Sequence, residues 1–396
     1  MARTPVAEHE GRVRALLAPL RLRDAETVSL ADSLGRVLAA DVTTPIALPP
    51  FRNSQMDGYA VMTGDVFPGV SLPVVADIPA AAGTPAALEA GTVARIMTGA
   101  PLPEGSDAVV PVEDTVATGD GQVTIASSWS PGAYVREAGS DLPAGAVIVP
   151  AGTRLASRHL GALAASGIRD VDVQSRVRVE VISTGSELVD RWDELGPGQI
   201  FDSNGVALSA AVEAVDADLI GTSRVGDEHE IFQILLDGAV DMGAELILTS
   251  GGISAGAYEV VRETLEPYGA HVDVLAMQPG GPQATATYRG VPVVCFPGNP
   301  VSSQLSFLLF VEPVLREIAG LPPRRRVTRV LEEPLTSVAG KRQFLRGRAL
   351  PDGRVETVGG PSSHLVAALA AADVLIDLPE DATELPAGAS VETWEL

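Results

Sequence analysis

Three short loops carry the residue types best suited to chemistry. Residues 183–187 read Ser-Thr-Gly-Ser-Glu, residues 249–254 read Thr-Ser-Gly-Gly-Ile-Ser and residues 297–300 read Pro-Gly-Asn-Pro. Such loops leave backbone N–H and hydroxyl groups free to face an oxyanion. They make Thr184, Gly185, Ser250, Gly251 and Gly252 candidate substrate-binding residues, with Ser254, Pro297, Gly298 and Asn299 alongside. One such loop alone is an ordinary strand-to-helix turn, in which glycine serves the backbone. Three at one edge of a sheet favour a phosphate or oxyanion site. Asp57, Asp141, Glu187 and Asp227 also sit in loops beside Gly or Thr. Singly these are solvated carboxylates or helix caps. As a set they suit Mg²⁺, which takes one or two carboxylates with substrate phosphates and water. The run Gly252-Ile253-Ser254-Ala255-Gly256 also fits a nucleophile elbow. Ser254 would then need Asp273 and His364 as its acid and base. The extra Gly251 and the position of His364 in another predicted domain count against hydrolase chemistry.

The elements that must hold these loops follow from periodicity. Residues 8–41 read as helical, with Val13, Leu16, Leu17 and Leu20 on one face and a second helical stretch in VSLADSLGRVLA. From 42 to 138 the chain breaks into short β-type runs punctuated by Gly and Pro. Residues 139–172 return with a helix near 157–166. The expected division is therefore 1–41 plus 139–172 as an N-terminal helical and β linker domain, with 42–138 as a β-rich insert. Residues 173–321 alternate strands and helices, which predicts an open, mostly parallel α/β sheet with ligands at the carboxyl ends of its strands. Residues 322–396 alternate again and predict a small C-terminal β domain. The fold class is α/β multidomain.

Composition narrows the function. A net charge of −23 opposes nucleic acid, whose binding needs a basic surface. A small anion remains a suitable ligand if the positive potential is local. The single cysteine, Cys295, excludes an intrachain disulfide, and five scattered histidines leave no zinc-type cluster. The N-terminal residues carry charges and no apolar signal core, so a cytoplasmic protein is expected.

The segments LPPFRNSQMDGYAV, RIMTGAPLPEGSDAVVPVED, REAGSDLPAGAVIVPAGTRL, VEVISTGSEL, GQIFDSN, ILTSGGISAGAYEVV and VVCFPGNPVSSQLSFLLFVEPVLREIAG stand in one order between residues 25 and 321, with a weaker continuation in RQFLRGR and PSSHL. Together they resemble the molybdopterin molybdenumtransferase family, to which the gephyrin E domain also belongs. The resemblance implies an elongated homodimer that inserts molybdate into the dithiolene of adenylated molybdopterin and releases AMP with the help of Mg²⁺. It implies catalytic roles for Asp57, Glu187 and Asp227, and metal binding by Asp141, Glu187 and Asp227. Substrate contacts are implied for Thr98 and the three loops, and for Arg346 and Ser363 in the last domain. The partners it implies are a molybdopterin-adenylating protein or molybdoenzymes.

Where that family commonly has Lys-Pro-Gly-Lys-Pro, this chain has Gln278-Pro279-Gly280-Gly281-Pro282, and Ala257 replaces the Asp before Tyr258. Arg52, Ser140 and Ser186 also replace acids of the family pattern. Charge-assisted hydrogen bonds are worth roughly 1.5–3 kcal/mol each, so losing two lysines would cost roughly 3–6 kcal/mol of molybdate binding. Two expectations follow. One is a transferase whose pocket is rebuilt with Arg52, Arg346 or backbone donors. The other is a gephyrin-like dimeric scaffold that binds a peptide of a membrane receptor or cell-division protein.

Overall fold

The computed structural model describes residues 3–190, 192–253 and 260–396. Ser254 and Ala257 lie outside the described residues. The chain forms two compact units, Glu26–Val173 and a larger one made of Met1–Ala25 with Gln174–Leu396.

The smaller unit is built on a six-stranded sheet in the order Ala108–Pro111, Gly58–Val61, Val93–Ile96, Val70–Ile78, Gln122–Ile125, Thr115–Ala117. Alternation splits its side chains between two cores. Tyr59, Val61, Val93 and Val110 go to one side, and Ala60, Ala94, Ile96 and Val109 to the other. Gly58 is required by close approach, because a Cβ there would stand 2.1 Å from the Val110 carbonyl oxygen. A third core gathers Leu38, Val149, Leu155, Leu163, Val171 and Val173 around the helix Ser157–Ala165.

The helix expected over 28–39 is not formed. Ala25–Ser29 is a strand paired with Asp170–Gln174, and Leu30–Asp32 is a single 3₁₀ turn capped by Ser29. Gly35 at φ +78° stops any continuation. The amides of Leu38 and Ala39 donate to Thr153 and Asp172 instead. Long-range backbone partners thus outcompeted a modest helical pattern. The first helix is real, Val6–Leu16, but it packs elsewhere than with 139–172. Val6, Val13, Leu17 and Leu20 are buried in the core of the larger unit, and His9 stacks edge-on to Phe310 at 4.8 Å.

The larger unit contains the predicted α/β sheet, ordered Asp218–Val225, Arg178–Thr184, Leu246–Ser250, Val291–Phe296, Pro282–Tyr288, His271–Val274. The first four strands are parallel, Pro282–Tyr288 runs antiparallel to both its neighbours, and His271–Val274 therefore shares the direction of the first four. The strand Pro282–Tyr288 was not foreseen. It forms a hairpin with Val291–Phe296 through Arg289 and Gly290, both at positive φ, as a two-residue turn requires. Val179, Val181, Leu246 and Leu248 bury one face under the helices Ser203–Ala214 and 300–318, while Ile182 and Ile247 bury the other under His229–Asp241 and Val260–Leu265. The helix from Pro300 passes through a π turn at Phe307–Val311 before Glu312–Ile318. Pro313 stands two residues beyond that turn and, having no N–H, cannot donate a regular helical bond back into it.

The C-terminal part closes on itself. Arg342–Ala349, Arg354–Thr357, Arg326–Leu331, Ser390–Glu395 and Val374–Leu378 pair in that order, and the last returns to the first to make a small barrel. Leu331, Leu345, Val355, Ile376 and Leu378 fill it. Met277–Gln278 adds to its edge, in register with Arg342 and Gln343. That pairing ties the 278–282 loop of the α/β part to the barrel.

No helix among the described residues is long and apolar enough to cross a membrane.

Candidate functional site

Three parallel strands end side by side, with Ser183 opposite Ser250 and Ser250 opposite Phe296. The three glycine loops therefore start at one edge, as the alternation of strands and helices implied. A buried side chain then ties two of them together. The Asn204 Nδ2 donates to Ser250 Oγ at 3.0 Å and to the Gly298 carbonyl at 2.8 Å. Asn204 is in place because Asp202 caps its helix, accepting from the Gly205 amide at 2.8 Å and from Ser183 Oγ at 3.0 Å. Thr184 Oγ1 donates to the Ser250 carbonyl at 3.3 Å, and the Gly251 amide donates to the Phe296 carbonyl at 3.0 Å. Gly251 sits at φ +97° with no room for a side chain, since a Cβ would come within 2.5 Å of the Thr184 carbonyl oxygen.

Beyond these loops lies a cleft of about 560 Å³. The 278–282 loop, Pro297, Gly298, Asn299 and Ser302 line it from the α/β part, and Lys341 and residues 361–364 from the barrel part. Ser363 is drawn in by its carbonyl, which accepts the Val301 amide at 3.0 Å. The loop itself is held from below by Gln283, whose Nε2 donates to the Gly280 carbonyl at 2.9 Å and to Ser306 Oγ at 2.6 Å. Among the described residues no Asp or Glu lines the cleft, while Lys341, Arg3, His364 and several hydroxyls and amides do. In a chain with 51 acidic residues, that lining favours anion recognition.

Arg346 stands apart from the cleft wall. It is almost fully buried, its Nη2 donates to the Gly360 carbonyl, and its Nε and Nη1 have no partner. Burial without a carboxylate holds its pKa below the usual guanidinium value. It supports the segment that leads into residues 361–364.

Glu187 and Asp227 flank the first loop. Ser186 Oγ donates to Asp227 Oδ2 at 2.9 Å, and the Glu187 carboxylate folds over Gly185, where a Cβ would meet it at 2.6 Å. Among the described residues no group of three or more His, Cys, Asp or Glu side chains could hold a metal. A carboxylate pair fits Mg²⁺ only in the mode in which phosphates and water complete the shell.

The smaller unit brings Asp57 and Thr98 together. Asp57 Oδ1 accepts from the Thr98 amide at 2.7 Å and from its hydroxyl at 2.8 Å, and these bonds hold the carboxyl below the ordinary Asp range. Asp141 is exposed, with its amide donating to the Leu48 carbonyl at 2.9 Å. Arg52 is engaged by Glu137 at 2.9 Å, so its charge is already partly answered.

The competing hydrolase triad loses its acid. Thr4, His9, Arg12 and His271 all contact the Asp273 carboxylate, which is 4% exposed and serves to pin the first helix. Sequence reasoning missed Asn204, Ser302 and Lys341. The signal for Lys341 was available, because it is the only lysine in 396 residues.

Comparison with known proteins agrees with this architecture. Three family models match in order: the MoeA N-terminal region (domain I and II) over residues 4–167, a probable molybdopterin binding domain over 180–317, and the MoeA C-terminal region (domain IV) over 328–396. The chain is 43% identical over 409 residues to molybdopterin molybdenumtransferase 2 of Mycobacterium tuberculosis, covering 99% of both chains. It is 35% identical to molybdopterin molybdenumtransferase 1 of the same organism, covering 98% of this chain and 97% of that one. A crystal structure of the molybdopterin biosynthesis MoeA protein of Pyrococcus horikoshii superposes with a TM-score of 0.84 at 30% identity, covering 100% of this chain and 99% of that one. The fold, the order of the three matched regions and the full-length identity place this chain in the molybdopterin molybdenumtransferase family.

Proposed function

We propose that this chain inserts molybdate into the dithiolene of adenylated molybdopterin and releases AMP. The observation that carries the reading is the cleft, free of acidic side chains among the described residues, beside the joined 250–252 and 297–299 loops. An anionic pterin nucleotide and a tetrahedral dianion both need such a lining. Ser250, Gly251, Gly252, Pro297, Gly298 and Asn299 hold the nucleotide side, with Thr184 and Gly185 beneath them. Ser363 serves the oxyanion side, and Arg346 fixes the segment that presents it. Mg²⁺, held by Glu187 and Asp227 with substrate phosphates, would neutralise charge on the pyrophosphate. Asp57, Thr98 and Asp141 belong to the reading as residues of the smaller unit whose replacement lowers turnover, and the working form is a homodimer.

The test is AMP release from adenylated molybdopterin by purified protein across a molybdate titration. Saturable, molybdate-dependent release is expected. Its absence at high molybdate sinks the reading.

A second reading has its own observation. An apolar groove of about 300 Å³, lined by Val301, Leu305, Leu308, Phe344, Leu369 and Leu375, is where an apolar peptide anchor of a scaffold's membrane or cell-division partner would lodge. A protein that lacks molybdate-dependent turnover and binds such a peptide favours it.

A further inference from the structure

The loop 278–282 on one side of the cleft carries no charged side chain. Something else must answer a doubly charged oxyanion there, in a protein whose net charge of −23 repels one. We infer that Lys341, across the cleft on the barrel part, is the cation that holds the oxyanion, a role that rests on the transferase reading above.

Four observations carry the assignment. Lys341 is the single lysine of a chain that otherwise uses arginine for every strong cation, and it stands on the wall of a cleft that no Asp or Glu of the described residues lines. Its ammonium makes no ion pair or hydrogen bond among the described residues. The arginines that follow it are engaged or off the wall: Arg342 grips Asp377 through two bonds of 2.9 and 2.6 Å, Arg348 pairs with Glu356 at 3.0 Å, and Arg346, though two of its nitrogens are unpartnered, is buried and does not line the cleft. The backbone around it is fixed on both sides, by the Gly340 amide on the Glu380 carbonyl and the Arg342 amide on the Ala276 carbonyl, each at 2.9 Å.

Position and chemistry agree. Met277 and Gln278 pair with Arg342 and Gln343, and Gln343 Nε2 donates to Gln278 Oε1 at 2.8 Å, so the residue just before that pairing cannot drift from the loop. Gly281 leaves its side of the cleft open, because a Cβ there would meet nothing closer than the Leu275 carbonyl oxygen at 3.6 Å. An ammonium on a four-carbon stem can bring three donors to a tetrahedral anion in that space. Arg3, the other permanent cation of the lining, is exposed and more fully screened.

The single lysine also supplies the experiment. Reductive dimethylation with ¹³C-formaldehyde keeps the charge and labels one side chain, and Lys341→Arg removes that signal and so distinguishes it from the terminal amine. Molybdate should shift the lysine resonance saturably, while sodium chloride at equal ionic strength should not. In the AMP-release assay Lys341→Gln should raise the molybdate KM roughly 10- to 100-fold. Its kcat should change less, and Lys341→Arg should recover most of the loss. A resonance that molybdate moves no more than chloride does, or an unchanged KM in Lys341→Gln, overturns the assignment. Absence of AMP release by the wild type overturns the transferase reading instead, and the lysine resonance then decides the oxyanion contact without any turnover.

Discussion

Asn204→Ala tests whether the loops are held as a unit. The substitution removes two hydrogen bonds, one to Ser250 Oγ and one to the Gly298 carbonyl. Their costs differ, because Ser250 is buried whereas Gly298 is exposed. Water can replace the lost donor at Gly298, leaving about 0.5–1.5 kcal/mol for that bond. Ser250 Oγ stays out of reach of water, and leaving it unsatisfied costs about 1–3 kcal/mol. Asn204 Oδ1 has no partner in the wild type, so removing it returns part of the loss. The net expectation is a destabilisation of about 1.5–3 kcal/mol. In calorimetry the unfolding transition of the larger unit should fall by about 2–4 °C for each kcal/mol. Asn204→Asp should be worse, because it sets a carboxylate oxygen against the Gly298 carbonyl. Under the proposed function the same variants raise the KM for the pterin nucleotide more than that for molybdate. An Asn204→Ala protein within about 0.5 kcal/mol of wild type would refute the reasoning.

Two further predictions follow from the backbone and from a buried histidine. Gly251→Ala forces a Cβ at φ +97° against the Thr184 carbonyl oxygen, so strain of about 1–2 kcal/mol is joined by a clash that must move the loop. Urea unfolding should show the loss, and a midpoint equal to wild type would mean that the loop has another conformation within easy reach. His9 is buried, and burial, the largest influence, lowers its pKa below 6.5 although Asp273 pulls it upward. It stays neutral in the folded protein while the unfolded chain takes up a proton as pH falls below 6.5, so its contribution is complete above that value and shrinks as pH falls toward the folded pKa. For Asp273 burial would raise the pKa, but bonds from His9 and Thr4 and the charge of Arg12 take it below 3.8, so its contribution is lost only in stronger acid. Thermal melts at pH 7.5 and 5.5 should therefore show a drop in wild type that His9→Gln flattens, and equal drops in both proteins would count against the assignment.

The sequence by itself determined the parts that depend on local pattern. Strands alternating with helices over 173–321 marked a mostly parallel sheet, and glycine loops after Thr184, Ser250 and Phe296 marked the edge that carries the candidate site. MDGYA was legible only through its resemblance to the family, and the steric reason for Gly58 came from the structure. What the sequence could not settle depended on partners far along the chain. Whether residues 28–39 become helix or strand is decided by strand 170–174, and Leu38 bonds to Thr153 rather than to its own turn. The hairpin strand Pro282–Tyr288 and the π turn before Pro313 likewise follow from pairing and packing that periodicity does not encode. Asn204 and Lys341 are the clearest cases at the candidate site. One became the tie between two loops only when strand ends lay side by side, and the other reached the cleft only because Met277–Gln278 pairs with Arg342–Gln343, residues 65 positions apart. Local propensity acts over a few residues, whereas a site is assembled by contacts between segments whose distance in sequence carries no geometric information until the chain has folded.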